Sequence, residues 1–136
     1  MKQRRKSREL AIQVLYSFEK NEKSLEELYQ NEFFLFTPQK HREFANLLIE
    51  GCVKYKKDLD EDIEKMLQHW KLKRLAVLDL LILRMALFEM KYLEDVPAVV
   101  SINEAIDLAK KFSTPDSGSF INGILDHFRK QNFSKK

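Results

Sequence analysis

The amino-acid sequence predicts an all-α protein of about seven helices arranged in two packed helical halves. Apolar residues recur at spacings of three and four along most of the 136 residues, which is the period of amphipathic helices. Apolar residues make up 44% of the chain, enough for a folded core, whereas only three Gly and three Pro are present, too few for an all-β sandwich. A charged stretch near Asp58 indicates the boundary between the halves, so we predict them at 1–58 and 59–131, followed by a polar tail at 132–136.

Three helices are predicted in the first half. The buried stripe of the first helix consists of Leu10, Ala11, Val14, Leu15 and Phe18. Ser24 and Glu27 form a capping-box pattern that begins a short second helix. Thr37 and Pro38 indicate an N-cap followed by proline at the first position of the third helix. The apolar face of the third helix consists of Phe44, Leu47, Leu48, Gly51, Cys52 and Tyr55. Because Gly51 lies in this face, we expect a close helix contact there.

Four further helices are predicted in the second half. The buried side of the fourth helix consists of Leu59, Ile63, Met66, Leu67 and Trp70. Leu75–Met90 is apolar nearly all round, which indicates a helix surrounded by others. The sixth helix begins near Pro97, and its inward residues are Val99, Ile102, Ile106, Ala109 and Phe112. A loop at 113–119 leads to the last helix, which Asp116 or Ser117 could cap.

The sequence argues against several classes of protein. Cys52 is the only cysteine, and the three histidines lack a second His or Cys at ligand spacing, so we expect no metal site. No glycine-rich phosphate loop or nucleophile motif is present, so we expect no enzyme activity, no catalytic residue and no cofactor. The basic N-terminus lacks a signal-peptide cleavage site, and no apolar stretch reaches the about 20 residues of a membrane span. We therefore expect a cytoplasmic protein without a membrane partner.

The N-terminus is the main functional signal. Its first eight residues carry five cations and no acid, and these cations are Lys2, Arg4, Arg5, Lys6 and Arg8. Tyr16 lies on the side of the first helix opposite the apolar stripe, near Arg5 and Ile12 by helical rotation. An exposed aromatic ring beside cations can stack a base of single-stranded RNA while the cations bind phosphates. A solvated basic tail, with Tyr16 packed on another helix, is the alternative.

Two other places could bind a ligand or a partner. The short polar loop 114–120 could present backbone N–H groups to a phosphate, although a plain turn with Phe120 in the core is the alternative. Arg84 interrupts the central apolar helix, and we predict a structural ion pair between Arg84 and Glu104. We expect Asp79 to be exposed, near a surface that another protein could cover.

Four sequence blocks, taken in order, resemble one known family. These blocks are Arg4–Ala11 with Val14–Tyr16 after it, Ile82–Met90, Val96-Pro97 leading into Ile102–Phe112, and Asp116–Asp126. On these blocks the chain resembles the NusB family of bacterial transcription antitermination factors. The resemblance covers nearly the whole chain, and residues 20–60 contribute least to it.

The resemblance implies a non-enzymatic protein that binds boxA-type RNA of ribosomal RNA leader transcripts. It also implies pairing with NusE, a small-subunit ribosomal protein, in an antitermination complex on RNA polymerase. By resemblance, the RNA-binding residues are Lys2, Arg4, Arg5, Lys6, Arg8, Tyr16, Ser117, Gly118 and Phe120. Asp79 and Asp116 are the corresponding candidates for the protein partner. Ser119 stands where the family often has Lys, which removes one possible phosphate contact.

Two alternatives remain open at the level of the sequence. A NusB-like domain also precedes the catalytic domain of some ribosomal RNA cytosine methyltransferases, but this chain lacks the length and the glycine-rich cofactor loop of such a catalytic domain. A purely protein-binding helical adaptor would associate with NusE without any contribution from RNA.

Overall fold

A computed structural model describes residues 2–21, 24–30, 37–67 and 71–133, without the side chains of residues 2, 3, 21 and 133. Within these ranges the chain forms seven α-helices, one 3-10 turn and no β-strand. The helices are α1 (Lys2–Asn21), α2 (Leu25–Tyr29), α3 (Gln39–Lys54), α4 (Lys56–Met66), α5 (Val77–Tyr92), α6 (Ala98–Phe112) and α7 (Ser117–Phe133), with the 3-10 turn at Leu72–Arg74. The predicted all-α fold is confirmed.

Helix α5 forms the centre of the molecule. Every residue from 81 to 90 is buried, and α5 packs against α1, α3, α4, α6 and α7. A helix surrounded in this way needs apolar side chains on all sides, which confirms the interpretation of its sequence. Around it, α1 packs mainly on α3, and α6 packs mainly on α7.

Gly51 of α3 lies at a close contact between α3 and α5. The ring of Phe88 on α5 lies directly against its Cα, so that a methyl group added at Gly51 would collide with the ring. The expected close approach is confirmed.

Helix starts agree with the predictions in one place and differ in another. The Ser24 side chain accepts a hydrogen bond from the backbone N–H of Glu27, and Glu27 reaches back to Ser24, which confirms the capping box. Pro38 is the N-cap of α3 and not its first helical residue, because its backbone is extended (φ −52°, ψ 140°) and the helix begins at Gln39. Pro38 thus occupies the N-cap position that was predicted for Thr37.

Two apolar residues predicted to face inward are exposed. Leu47 precedes the buried Leu48 by one position, and the 100° rotation per residue carries it off the buried face. Val99 is 55% exposed because the first turn of α6 borders an open groove, also lined by Leu93 and Arg129.

The break between α3 and α4 lies at Tyr55, three residues before the predicted one. Helix α7 continues to Phe133, beyond the residue where the polar tail was expected to begin. The division into halves at residue 58 stays a prediction. Trp70 and the side chain of Lys2 lie outside the described residues. Among the described helices, none combines the length and the apolar character needed to cross a membrane.

Candidate nucleic-acid interface

The exposed face of α1 carries Lys6, Gln13, Tyr16 and Lys20. The side chain of Lys6 is 68% exposed, Tyr16 is 38% exposed, and the Lys20 Nζ lies 5.9 Å from the centre of the Tyr16 ring. Ten residues of helix separate Lys6 from Tyr16, a distance of about 15 Å. Ile12 is buried and does not share this face. The cation that lies beside the Tyr16 ring is Lys20 and not Arg5.

Arg5 projects from the first turns of α1 onto α6. Its Nε and Nη2 donate to Oε1 and Oε2 of Glu104 at 3.2 and 2.8 Å, and Nη2 also donates to Asp107 at 3.1 Å. The hydrogen bond with Glu104 and the charge of that carboxylate raise the pKa of Arg5. Half of the side chain remains exposed, so Arg5 stays accessible to a ligand.

Arg8 has a different environment. Its side chain is 2% exposed, and it donates to Glu89 through Nε at 2.8 Å and Nη2 at 2.6 Å. Its Nη1 lies 3.5 Å from Glu104. A buried charge requires its own internal partners, and Arg8 has them, so its direct contact with RNA stays a prediction that its position does not support.

Arg4 stays partly exposed at the edge of the bundle. Its Nη2 donates to Asp95 at 3.0 Å, and its guanidinium lies 4.4 Å from the centre of the Phe44 ring. An ion pair between two side chains this exposed contributes little stability and exchanges readily with other charges.

Two lysines of α6 lie beside the first turns of α1, and together with Arg5 and Lys6 they form what we call the basic surface. Lys111 donates to Glu9 of α1 at 3.0 Å, and Lys110 packs beside Gly118 at the start of α7. The N-terminal segment and the start of α7, both predicted to bind RNA, therefore lie on either side of α6. The sequence did not identify either lysine as a candidate binding residue. The signal that could have identified them is their position in the last turn of α6, after its apolar positions.

Side chains at the start of α7 and in the segment before it mostly make hydrogen bonds within the fold. Ser117 is buried, and its hydroxyl lies within hydrogen-bond distance of Asp79, Ser113 and Thr114. The Asp79 carboxylate also accepts from Ser113 at 2.8 Å.

This network corrects the prediction for Asp79, which is buried and not exposed, since hydroxyl groups satisfy its carboxylate inside the fold. Direct RNA contact by the Ser117 side chain stays a prediction that its position does not support, because the same network occupies its hydroxyl. Gly118 is buried and Phe120 packs against the core, whereas Asp116 and Ser119 are exposed.

The predicted ion pair between Arg84 and Glu104 is absent. Arg84 donates to Asp60 at 2.7 and 3.1 Å and to Glu19 at 3.3 Å, because its position on α5 faces α4 and the end of α1. Glu104 faces the opposite end of α1 and binds Arg5 and Arg8.

Chemically, neighbouring faces of α1 and α6 present the amino groups of lysines, the guanidinium of Arg5 and the aromatic ring of Tyr16. Such a set can bind phosphates and stack a base. Among the described residues, no group of three or more His, Cys, Asp or Glu side chains is arranged to hold a metal ion.

Comparison with known proteins gives a consistent result. The model of the NusB family matches residues 5–130. A transcription antitermination protein NusB of Syntrophus aciditrophicus is 45% identical over 127 residues, which cover 93% of this chain and 79% of that protein.

Solved structures agree with the sequence comparison. NusB of T. maritima is 32% identical and superposes with a TM-score of 0.81, over 94% of this chain and 91% of that one. A chain in the crystal structure of the antitermination factors NusB and NusE in complex with dsRNA is 26% identical, with a TM-score of 0.86 over 96% and 98% of the two chains. With the helical fold and the basic surface of α1 and α6 described above, these matches establish that the chain belongs to the NusB family of transcription antitermination proteins.

Proposed function

We propose that this protein is a non-enzymatic adaptor that binds single-stranded boxA-type RNA of ribosomal RNA leader transcripts together with NusE. In this role it acts within an antitermination complex on RNA polymerase. The observation that carries the proposal is the group of exposed cations on the neighbouring helices α1 and α6, with the exposed Tyr16 ring further along α1.

Phosphates are the natural ligands of the cations on this surface. Lys6 is the most accessible of those described on the first turns of α1, and its contact with Glu9 is long at 4.0 Å. Lys111 is half exposed and adjoins the same Glu9 from α6. Either ammonium group can turn to a phosphate while the other keeps its contact with Glu9, whose side chain is only 16% exposed.

Tyr16 supplies a stacking surface for an unpaired base. A base stacked on an aromatic side chain contributes about 1–3 kcal/mol to the binding of a single strand. Lys20, beside the ring, would hold the phosphate next to that base. A duplex keeps its bases paired and stacked inside, so this contact favours a single strand.

The partner NusE is supported by the solved complex of NusB and NusE with dsRNA, in which one chain has the same fold as this protein. For this chain we keep Asp116 as the proposed partner contact, because it is exposed in the turn before α7. We do not propose Asp79 as a partner contact, since its carboxylate accepts hydrogen bonds from Ser113 and Ser117 inside the fold.

Affinity for a boxA-type RNA oligonucleotide, measured as a function of salt, tests the proposal. Lys6→Gln and Lys111→Gln should each weaken binding and lower the magnitude of the slope of log K against log salt by about 0.7, the value for one lost single-strand phosphate contact. Lys57→Gln is the matched control: it removes the same charge from an exposed position on α4, away from this surface, and should change neither quantity by a comparable amount.

The ring is tested in the same titration. Tyr16→Ala should weaken binding by about 5- to 150-fold with an unchanged salt slope, because stacking carries no net charge, whereas Tyr16→Phe should retain most of the affinity. If the combined variant Lys6→Gln, Lys111→Gln, Tyr16→Ala binds RNA like the unmodified protein, the proposed surface is wrong. Tight association with NusE and no measurable RNA binding would instead identify a purely protein-binding adaptor.

A further inference from the structure

We propose that the two carboxylates that contact Arg5 have opposite effects on RNA binding. Glu104 positions the Arg5 guanidinium for a phosphate, whereas Asp107 competes with that phosphate. This inference rests on the proposed RNA-binding function and assigns a role to two acidic residues within the basic surface.

Glu104 is fixed from inside the molecule. Its side chain is only 10% exposed, and Arg8 Nη1 lies 3.5 Å from its Oε1. Arg8 is itself held by the buried Glu89, whose Oε1 also accepts a hydrogen bond from Ser101 at 2.9 Å. With its side chain buried and Arg8 held beside it by Glu89, the Glu104 carboxylate has little room to leave the position in which it contacts Arg5.

This fixed carboxylate orients the guanidinium of Arg5. Glu104 takes Nε and Nη2 in a bidentate pair, a geometry that restricts the orientation of the planar group. A guanidinium has five N–H donors, and the two on Nη1 have no partner among the described residues. Those two donors are available to a phosphate while the pair with Glu104 persists.

Asp107 has the opposite character. It is 50% exposed, and its hydrogen bond to Arg5 is a single one from Nη2, at 3.1 Å. It lies three residues after Glu104 on α6, in the groove that Arg5 shares with Lys110 and Lys111. A phosphate that enters this groove meets the charge of Asp107 and must displace it or tolerate the repulsion. Asp107 therefore lowers the affinity for every polyanion, and only an RNA that gains further contacts can offset this loss.

The test compares single-stranded boxA-type RNA with an unrelated oligonucleotide of equal length on the full chain. Asp107→Asn should tighten binding of both by about two- to fivefold, and the gain should shrink as salt rises. Glu104→Gln should weaken binding of both by about three- to tenfold, because the guanidinium loses its bidentate support. Asp126→Asn, which removes a partly exposed, ion-paired carboxylate on α7, is the control and should change neither affinity appreciably.

The direction of the Glu104 effect separates positioning from simple electrostatics, which predicts tighter binding whenever a negative charge is removed. The Glu104 effect should vanish in an Arg5→Gln background, because Glu104 acts through that guanidinium, whereas direct repulsion of the phosphate by Asp107 should persist there. Arg5→Lys, which keeps the charge but cannot form the bidentate pair, should weaken binding as Glu104→Gln does, and it supplies a second measurement if Glu104→Gln unfolds.

If both carboxylate variants tighten binding, or if the Glu104 effect persists in the Arg5→Gln background, the inference is overturned. The proposed function fails by a different result, namely an RNA affinity that does not respond to Lys6→Gln and Lys111→Gln.

Discussion

At the scale of single residues, the surroundings of an arginine decide what it can do. Arg4 and Arg8 lie one turn apart on the same side of α1, yet Arg4 is paired at the surface and Arg8 is buried against Glu89. The cluster of cations at the N-terminus could be predicted from the sequence. The burial of Arg8 could not, because its partner lies 81 residues away on a different helix.

Gly51 allows a prediction of stability at the same scale. Gly51→Ala should destabilise the protein by about 1–3 kcal/mol, because the added methyl group collides with the Phe88 ring and forces α3 away from α5. The better helix propensity of alanine offsets only part of that loss. Urea unfolding measures the change.

Gly123 is the matched control for this substitution. It is exposed in α7, and a methyl group there would meet no atom within 4 Å. Gly123→Ala should therefore stabilise the protein by about 0.5–1 kcal/mol through helix propensity alone. Changes of equal sign at the two glycines would contradict the close contact between α3 and α5.

At the scale of elements, Lys91 and Tyr92 at the end of α5 bind Asp58 and Asp62 of α4, and we call this group of side chains the clamp. Lys91 donates to Asp58 and to Asp62, each at 2.6 Å, and the Tyr92 hydroxyl donates to Asp58 at 2.6 Å. The Tyr92 ring stacks on Tyr55 with the ring centres 4.2 Å apart, at the junction of α3 and α4. Three helices therefore meet at this clamp.

The clamp makes stability depend on pH. The hydrogen bonds from Lys91 and Tyr92 hold the pKa of Asp58 below its ordinary value of about 3.9. Burial lowers the pKa of Lys91, but the hydrogen bonds to Asp58 and Asp62 outweigh this and raise it. The Asp58 contribution is therefore present above pH 3.9 and is lost as pH falls through the lowered pKa. The Lys91 contribution is present below its ordinary pKa of about 10.4 and is lost as pH rises through the raised pKa.

Lys91→Met removes the clamp. The variant should be less stable than the unmodified protein near pH 7, by up to about 1 kcal/mol, because partly exposed pairs contribute no more than that. The difference should be smaller at pH 3, because the contribution of the Asp58 pair falls once the pH is below the ordinary pKa of this carboxyl. Urea unfolding at both pH values, with Lys57→Met as an exposed control, measures it. A difference that is the same at both pH values would show that Lys91 stabilises α5 through packing and not through charge.

At the scale of the whole molecule, the sequence predicted the helices better than it predicted their polar contacts. The central helix α5 was evident because burial on every side requires apolar residues all round. The partner of Arg84 was predicted wrongly, since periodicity shows which face of a helix is buried but not which carboxylate lies opposite it. The same limit applies to the basic surface: Lys111 joins it only because α6 packs beside α1, with its Nζ against Glu9.

The whole fold thus places two separate basic segments on one surface, and the central claim is that this surface binds RNA in cooperation with a protein partner. The most direct test titrates boxA-type RNA into the full chain with and without NusE. RNA should bind more tightly when NusE is present, and NusE should bind more tightly by the same factor when RNA is present, since coupling between two ligands is reciprocal. RNA affinity that is absent in both titrations, together with NusE binding that RNA does not change, would contradict the claim.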